Sequence, residues 1–521
     1  MNRPLSTLLT LLLTASSIAM AQEDVKVGYD ARQYLGNISY GSANPVALNY
    51  MPLPDIADIH VAYRHEDGDF HLIDQAASSN LWLVNFSGMK RLGKVTFGGS
   101  LVYRNATLND RAWNNTLFVS ANNPFIICDS IKSKFNPETF HLDGGAAYKV
   151  GENLLLGLSA NYDVGSSATQ KDPRPEIKGM RFRLTPGVEY AFGLHNIGLS
   201  GEVEWLSEEV THTVVRTTTK QYVFLFQGLG VFETKDALGY RRKYNGTHWG
   251  AQVQYTFNNS ATAPVSNFFQ AGYYSEFEDA IDGSSNMKYK GGRYNGTGFS
   301  LQDRFMLRVS ENTVHNITLN ASMSDSKGRW YTQRQSTDAN GNLTYEVINE
   351  SDNLESTYMD FGVGYRYDRL STSGVPTFQV GAKGIFSNTE TKNKIYAAKE
   401  NYSNALFALD ALKRFKVKKG WIGASLNAAY RMNLESKINL NEMPPTYSVI
   451  MQNYTRPAFA ALTTDFWQAG LSLSYSLPIS VLGYGSLLEI KIDGDYRNRT
   501  KAVPGENNDR FTLGAQVGFV F

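Results

Sequence analysis

Strict alternation of apolar and polar or small residues is the feature that most restricts how this chain can fold. At the C-terminus, every second residue from Phe511 to Phe521 is apolar, and Thr512, Gly514, Gln516 and Gly518 lie between them. The same period of two recurs along the chain in segments of about nine to twelve residues, the length of a tilted strand that crosses a bilayer. The pattern therefore predicts antiparallel strands that each have one apolar face.

Strand length and aromatic placement favour a membrane barrel over a soluble β-sandwich. Strands of globular sheets usually contain about five or six residues, fewer than the alternating segments here. Aromatic residues also stand near the ends of these segments, where interfacial girdles occur in membrane barrels. The predicted girdle residues are Tyr103, Tyr148, Tyr162, Trp205, Trp249, Tyr255, Tyr367, Trp421, Trp467 and Tyr475.

The connections between the segments alternate between short and long. Gly93 and Gly193 lie in tight turns, whereas polar stretches at 105–138, 208–242 and 433–464 separate other strands. Short periplasmic turns and long extracellular loops are typical of outer-membrane barrels. Pairing the segments into hairpins gives eight pairs, one strand before them near Val61 and one after them at 510–521.

The predicted fold is therefore all-β, a single transmembrane antiparallel β-barrel of about 18 strands, with a range of 14–18. The physical reason is that hydrocarbon offers no partner to backbone N–H and C=O groups, so a sheet can cross it only when closed on itself. The predicted location is the bacterial outer membrane, with the lipid bilayer as the first partner.

Residues 1–21 have the pattern of a secretory signal peptide. Arg3 supplies the positive region, an apolar stretch follows, and Ala19-Met20-Ala21 resembles a cleavage site. The predicted organisation is a signal peptide at 1–21, a periplasmic or lumenal segment at 22–56 and the barrel at 57–521. Thirty-five residues are too few for the folded plug domain of a TonB-dependent transporter.

Composition excludes several functions. The chain has 50 Lys and Arg against 49 Asp and Glu, so it offers no basic surface for nucleic acid. Cys128 is the one cysteine, which excludes a disulfide scaffold. The histidines are scattered, and His60, His65 and His71 are spaced unlike a zinc motif. We predict no enzyme activity, no catalytic residues, no metal site and no cofactor.

Charged residues alternate with the apolar ones on several strands and are predicted to line the lumen. Arg181 and Arg183 lie on one strand, and Glu202 and Glu204 lie on the next, within reach of cross-strand pairing. A second predicted row is Glu489, Lys491 and Asp493. Two interpretations stay open: a selectivity ladder along a pore, or matched charges that brace a wide wall. Matched charges favour the second.

Tyr222–Phe232 (YVFLFQGLGVF) is the most apolar stretch outside the strand faces. In a loop, such a stretch either folds inward as a constriction or docks a partner, because large exposed apolar patches signal contact. Asn340-Gly341 separates two further short alternating runs and predicts a hairpin that projects beyond the membrane.

Two resemblances to known families extend this interpretation. Ser42–Leu48 (SANPVAL) resembles the Asn-Pro-Ala-like motif ahead of the first strand in the long-chain fatty-acid transporter (FadL) family, whose N-terminal segment forms a hatch in the barrel. A simple Asn-Pro turn into the first strand explains the same residues. Across the mature chain, the tyrosine-rich strands are similar to those of uncharacterised outer-membrane barrels of the Bacteroidota.

The terminal strand, with Phe519 and Phe521, resembles the C-terminal signal that the barrel-assembly machinery binds, which implies that machinery as a partner. The predicted function is a pore or transporter for passive or gated passage of small molecules. The alternative is a non-conducting scaffold barrel that binds a surface lipoprotein or a secretion partner. The polar lumen favours hydrophilic solutes, whereas the FadL resemblance implies hydrophobic ones.

Overall fold

The computed structural model describes residues 26–283, 288–337, 341, 343–481, 484–501 and 508–521. The predicted signal peptide and Asn340 lie outside the described residues. The strands are β1 (Ile56–Asp67), β2 (Ser78–Leu92), β3 (Val95–Arg111), β4 (Ile127–Cys128), β5 (Ser133–Phe135), β6 (Glu138–Lys149), β7 (Leu154–Ala168), β8 (Pro175–Phe192), β9 (His195–His212), β10 (Tyr222–Gly228) and β11 (Val231–Asp236). They continue as β12 (Arg241–Phe257), β13 (Val265–Asp282), β14 (Tyr289–Ser310), β15 (Thr313–Thr337), β16 (Leu343–Leu370), β17 (Pro376–Asn393), β18 (Ala398–Val417), β19 (Gly420–Asn439), β20 (Phe466–Val481), β21 (Tyr484–Arg499) and β22 (Asp509–Val520).

Eighteen of these strands form one closed antiparallel barrel, which confirms the predicted fold. Each barrel strand pairs with the barrel strand that follows it in the chain, β3 with β6 and β9 with β12, because the short strands between them lie outside the ring. β1 closes the ring by pairing with both β2 and β22. At the closure, the Phe521 N–H donates to the Ala57 carbonyl at 2.7 Å, and the Ala57 N–H donates back at 3.3 Å. The short β5 pairs with β3 beside the ring, and β4, β10 and β11 form a separate small sheet.

The alternation places apolar side chains on the outside of the barrel. On β22, Phe511, Leu513, Ala515 and Val517 are exposed, whereas Thr512, Gly514 and Gln516 between them are less exposed. Trp205 and Trp249 are likewise exposed on the outer face. Trp421 is an exception to the predicted girdle. It is buried among interior residues with Val27, so that girdle prediction was wrong.

The strands extend beyond the segments that their sequence pattern predicted. β15 and β16 contain 25 and 28 residues, against about nine to twelve in the predicted alternating segments. About nine to eleven residues suffice to cross the bilayer, so this hairpin projects well past it. Beyond the membrane both faces of a hairpin contact water, and the apolar alternation that marks a strand is lost.

The described residues contain few helical elements. They are α1 (Tyr29–Gly36), a 3-10 helix (Pro45–Tyr50) and a continuous helical segment formed by a 3-10 turn (Pro445–Tyr447), α2 (Ser448–Ile450), a π-helical turn (Met451–Thr455) and α3 (Arg456–Leu462). Within the described ranges, no helix has both the length and the apolar character needed to cross a membrane.

Candidate functional site: a lumen closed at both ends

The chain before β1 lies inside the barrel. Residues 26–55, here called the plug, contact strands all round the ring at the end where the short turns lie. Lys26 bonds to the Gly485 carbonyl on β21, Arg91 on β2 donates to the Asn49 carbonyl at 2.6 Å, and Gln270 on β13 accepts from Ala43 N–H at 3.1 Å. These strands are spread around the ring, so the plug crosses the lumen.

One buried arginine holds the middle of the plug. Arg304 on β14 is 2% exposed and donates to the carbonyl oxygens of Tyr34 at 2.7 Å and Asn37 at 3.1 Å. Its guanidinium also lies 3.5 Å from the centre of the Tyr34 ring. The plug carbonyls in the last turn of α1 and just after it are thereby satisfied by the barrel wall, which supplies donors that a short segment lacks.

The plug approaches the wall where the wall has glycines. An added Cβ would lie 2.7 Å from Val46 N at Gly157 and 3.0 Å from the Leu48 side chain at Gly98. At Gly187 it would lie 2.9 Å from Asn44 Cγ. Side chains there would displace the 3-10 helix, so these strand glycines allow close packing of backbone on backbone.

Asn44 links this helix to the wall. Its side chain accepts from Val46 N–H at 3.1 Å and so caps the 3-10 helix. The same amide donates to the Val188 carbonyl at 3.1 Å. The Asn-Pro sequence therefore begins a helix on the wall, rather than leading directly into the first strand.

Burial changes the acid–base properties of the plug. It raises the pKa of the Tyr50 phenol, and the neighbouring Glu189 carboxylate, to which the phenol donates, raises it further. Burial also raises the pKa of Asp30, with Asp58 as the next cause. Both groups lie at the contact between plug and wall.

Three long loops close the other end. We call residues 112–137, 213–240 and 440–465 the cap. The predicted apolar stretch at Tyr222–Phe232 forms the hairpin of β10 and β11, which packs inward on Trp113 and Tyr454. On the opposite side of the ring, an added Cβ at Gly228 would clash with Leu354 of β16. The hairpin thus spans the outer opening, as the inward-folding alternative predicted.

Buried polar groups of the wall hold the first cap loop. Glu208 on β9 accepts from the Leu117 N–H at 2.9 Å and the Phe118 N–H at 2.6 Å. Glu278 on β13 accepts from the Ser120 N–H at 3.0 Å. A further anchor lies beside them.

That anchor is a buried ion pair at the top of the wall. Arg242 on β12 is 1% exposed and makes two bonds of 2.7 Å to Asp282. Arg242 also donates to the Phe125 carbonyl at 3.2 Å. Because both charges are paired and bonded, their burial is compensated.

The structure brings four of the predicted lumen residues together on β8 and β9. Arg183 lies 2.7 Å from Glu204 and 3.6 Å from Glu202, and Arg181 lies 3.9 Å from Glu204. His248 on the next strand lies 3.0 Å from Glu202. The charges form a network across adjacent strands.

The other predicted row is looser. Lys491 lies 3.8 Å from Asp493, and Glu489 accepts from Ser476 at 3.1 Å. These residues lie on β21, away from the network on β8 and β9. A role of either group in the path of a solute stays a prediction.

Phe519 and Phe521 lie at the end of β22 and the closure. Their rings stack with centroids 6.5 Å apart. Their use as an assembly signal stays a prediction.

The three neighbouring histidines do not converge. His60 contacts Asp58 at 3.0 Å, His65 contacts Asn80 at 2.9 Å, and His71 contacts its neighbouring carbonyl at 2.7 Å. Among the residues that the structure describes, no group of three or more His, Cys, Asp or Glu is placed to hold a metal ion.

Cavities remain between these closures. One of about 520 Å³ lies beneath the cap, and one of about 440 Å³ lies beside the plug. A smaller cavity of about 200 Å³ borders the Arg181 and Arg183 network. Sequence reasoning missed the first, because its lining comes from the cap loops and from β14 to β18, far apart in the chain.

A closed ring, an apolar exterior and a polar interior define this chain as a transmembrane β-barrel of the outer-membrane type with an occupied lumen. The chain belongs to DUF6850, a family of unknown function, whose profile matches residues 45–521.

Comparisons with known proteins were made at the levels of sequence and structure. No curated protein matches the sequence. Among solved structures, the ferric preacinetobactin receptor BauA of Acinetobacter baumannii is similar with a TM-score of 0.41 and 9% identity, over 90% of this chain and 80% of that chain. The copper transporter OprC is similar with a TM-score of 0.40 and 9% identity, over 89% and 80%. A FadL homologue of Pseudomonas aeruginosa has a TM-score of 0.33 and 9% identity, over 97% and 99%.

Proposed function

We propose that this protein is an outer-membrane transporter that passes small hydrophilic solutes when its plug is displaced. The observation that carries the proposal is the plug itself, a short segment that crosses the lumen and is held by hydrogen bonds and by small apolar clusters that it shares with the wall. A barrel of eighteen strands is wide enough for a channel unless something fills it. Of the two closures of the lumen, the plug and the cap, the plug has the smaller apolar core of its own.

The interior supports a hydrophilic solute. The networks around Arg183, Glu202 and His248 present charged groups toward the lumen, where water can solvate them. Apolar cargo would have to pass these groups without replacing their hydration, which is unfavourable.

We further propose that Phe519 and Phe521 guide insertion by the barrel-assembly machinery.

A disulfide lock tests whether the plug gates passage. Asn44→Cys and Gly187→Cys, made in a Cys128→Ala background, place two thiols where wall and plug already touch. The geometry suits a bridge, which needs Cβ atoms about 3.5–4.5 Å apart. The assay is solute flux into proteoliposomes before and after reduction of the same sample.

Flux should be absent when the pair is oxidised and should return on reduction. Each single-cysteine variant is the matched control and should not respond to reductant. Equal flux in the oxidised and reduced states would show that the plug is not the gate. Silence in every state, together with a co-purifying protein, would favour the scaffold function.

A further inference from the structure

The cavity beneath the cap has the size and lining of a small-molecule site. Its volume of about 520 Å³ falls within the range of about 300–1,000 Å³ that ligand pockets occupy. Trp113 and Tyr454 line it from the cap, and Glu400 and Tyr402 of β18 line it from the barrel wall. All of these residues lie in described parts of the chain.

Glu400 is half-buried, and its partners differ from those of the buried acids of this region. Glu208 and Asp282 have backbone N–H groups or an arginine as partners. The Glu400 carboxyl has a hydrogen bond from Thr391, and no basic group of the described residues pairs with it. Lys399, its chain neighbour, instead binds Glu390 at 2.6 Å.

The remaining charges around the cavity are matched. Arg111 interacts with Asp74 and Glu208. Lys327 is exposed and acts on Asp352 rather than on Glu400. Glu400 is therefore the unmatched charge among the described groups that line this cavity.

Aromatic rings surround this carboxyl. Tyr402 is the next lumen-facing residue on the same strand, and its ring lies 5.9 Å from that of Phe459. Burial raises the pKa of Tyr454, with Asp74, Cys128 and Glu400 as further causes, so the Tyr454 phenol lies within electrostatic range of Glu400. Aromatic faces attract cations, and the attraction increases when the cation is desolvated.

Another residue that lines the same cavity has a polar atom without a hydrogen-bond partner. The Thr455 hydroxyl is buried in a residue that is 7% exposed, and it has no hydrogen-bond partner. Buried polar atoms are normally bonded, so an unsatisfied one that lines a cavity indicates a missing ligand group.

We propose that this cavity binds a small organic cation, with the ammonium group on Glu400 and a hydrogen-bonding group near Thr455. The ligand supplies the positive charge that the wall lacks. The biological role of this site rests on the transport function proposed above, because the cation that binds here represents the class of solute that the lumen admits. Binding itself can be measured without transport.

Burial raises the pKa of the Glu400 carboxyl to about 7. The carboxyl attracts a cation when ionised, so affinity is full above this pKa and falls as the pH drops through it. Between about pH 8 and about pH 5.5, the ionised fraction falls by about thirtyfold, and affinity should fall with it.

The test is calorimetric titration of the purified full-length protein in detergent. The probes are three cations of different shape: phenethylamine, cadaverine and choline. Phenethyl alcohol and phenylacetate are the neutral and anionic analogues of phenethylamine. We expect at least one cation to bind at about pH 8, and the neutral and anionic matches to bind at least about tenfold more weakly.

Two glutamate variants assign the binding to the site. Glu400→Gln removes the charge with little change of shape and should abolish cation binding, whereas Glu390→Gln on the outer surface should retain it. Glu400→Gln should not lower the melting temperature, because it removes a half-buried charge that no basic group of the described residues pairs. Thr455→Val should weaken binding by a smaller factor.

Failure of all three cations to bind the wild type would overturn the proposal, as would equal binding by Glu400→Gln. Its failure is distinguishable from that of the transport function. Cation binding without flux would support this site and contradict the transport function. Flux through the reduced plug variant without cation binding would support the transport function and contradict this site.

Discussion

The plug and the cap close the same lumen in different ways. The cap has its own aromatic interior, in which the Trp113 ring lies 5.6 Å from Phe224 and 5.9 Å from Tyr454. The plug depends on the wall, through Arg304 and the glycines that allow its 3-10 helix to approach. The difference teaches that the cap can be opened only by breaking a core of its own, whereas the plug can leave by giving up hydrogen bonds and small apolar contacts that it makes with the wall.

The largest effect should come from the cap core. Trp113→Ala removes the ring that joins the β10–β11 hairpin to the helical segment and should destabilise the cap by about 3–5 kcal/mol. Protease treatment of intact cells should then cleave within 222–232, a stretch that should resist cleavage in the wild type. Tyr222→Ala alters an exposed aromatic of the same hairpin and should leave it protected. Equal protection in both variants would mean that the cap has no core of its own.

The next effect concerns the arginine that holds the plug. Arg304→Met removes several charge-assisted bonds and should weaken plug docking by about 3 kcal/mol. Planar-bilayer recordings should show more frequent openings than in the wild type. Arg308→Met removes one bond to the Leu35 carbonyl and should have a smaller effect. Identical recordings for the two variants would contradict the anchoring role of Arg304.

A smaller effect tests the close approach of plug and wall. Gly187→Val inserts a side chain against Asn44 and should cost about 1–3 kcal/mol by overpacking, with more frequent openings. Gly144→Val is the control, because an added Cβ there meets nothing within 4 Å. Both variants should keep the gel mobility shift of a folded barrel on heating. Equal opening frequencies in Gly144→Val and Gly187→Val would contradict the close packing of plug and wall at Gly187.

The smallest perturbation uses the natural cysteine as a reporter. Burial raises the pKa of the Cys128 thiol, so both access and the thiolate fraction are low. Maleimide labelling of the native protein should be at least about a hundredfold slower than of the unfolded protein. Trp113→Ala should accelerate it and Arg304→Met should not. Asn122→Cys, at an exposed position of the same loop, is the positive control. Acceleration by both variants would show that plug and cap open together.

The strand count could be obtained from the sequence because each membrane strand has one face in hydrocarbon. The alternation at Phe511–Phe521 follows from that contact alone and does not depend on any distant residue. Trp421 shows the limit of this reasoning. An aromatic near a strand end suits either a girdle or the interior, and its contact with Val27 of the plug decides between them.

Part of the plug contact was also visible in the sequence. Paired glycines within a strand, such as Gly98-Gly99 and Gly144-Gly145, are typical of bends or close packing, and an added Cβ at Gly98 or Gly145 would lie 3.0 or 3.2 Å from the Leu48 side chain. The sequence did not reveal which segment approaches them, because a glycine permits a close approach without identifying the residue that makes it.

The sequence by itself determined the closed barrel, its turns and its lipid-facing surface, because period two and chain-local turns encode them. The tertiary structure alone decided what fills the lumen. Glu400 and Thr455 are fifty-five residues apart and reach one cavity only because loops from several strands fold over the same opening. Such a meeting depends on how the ring closes, and no local pattern of side chains records it.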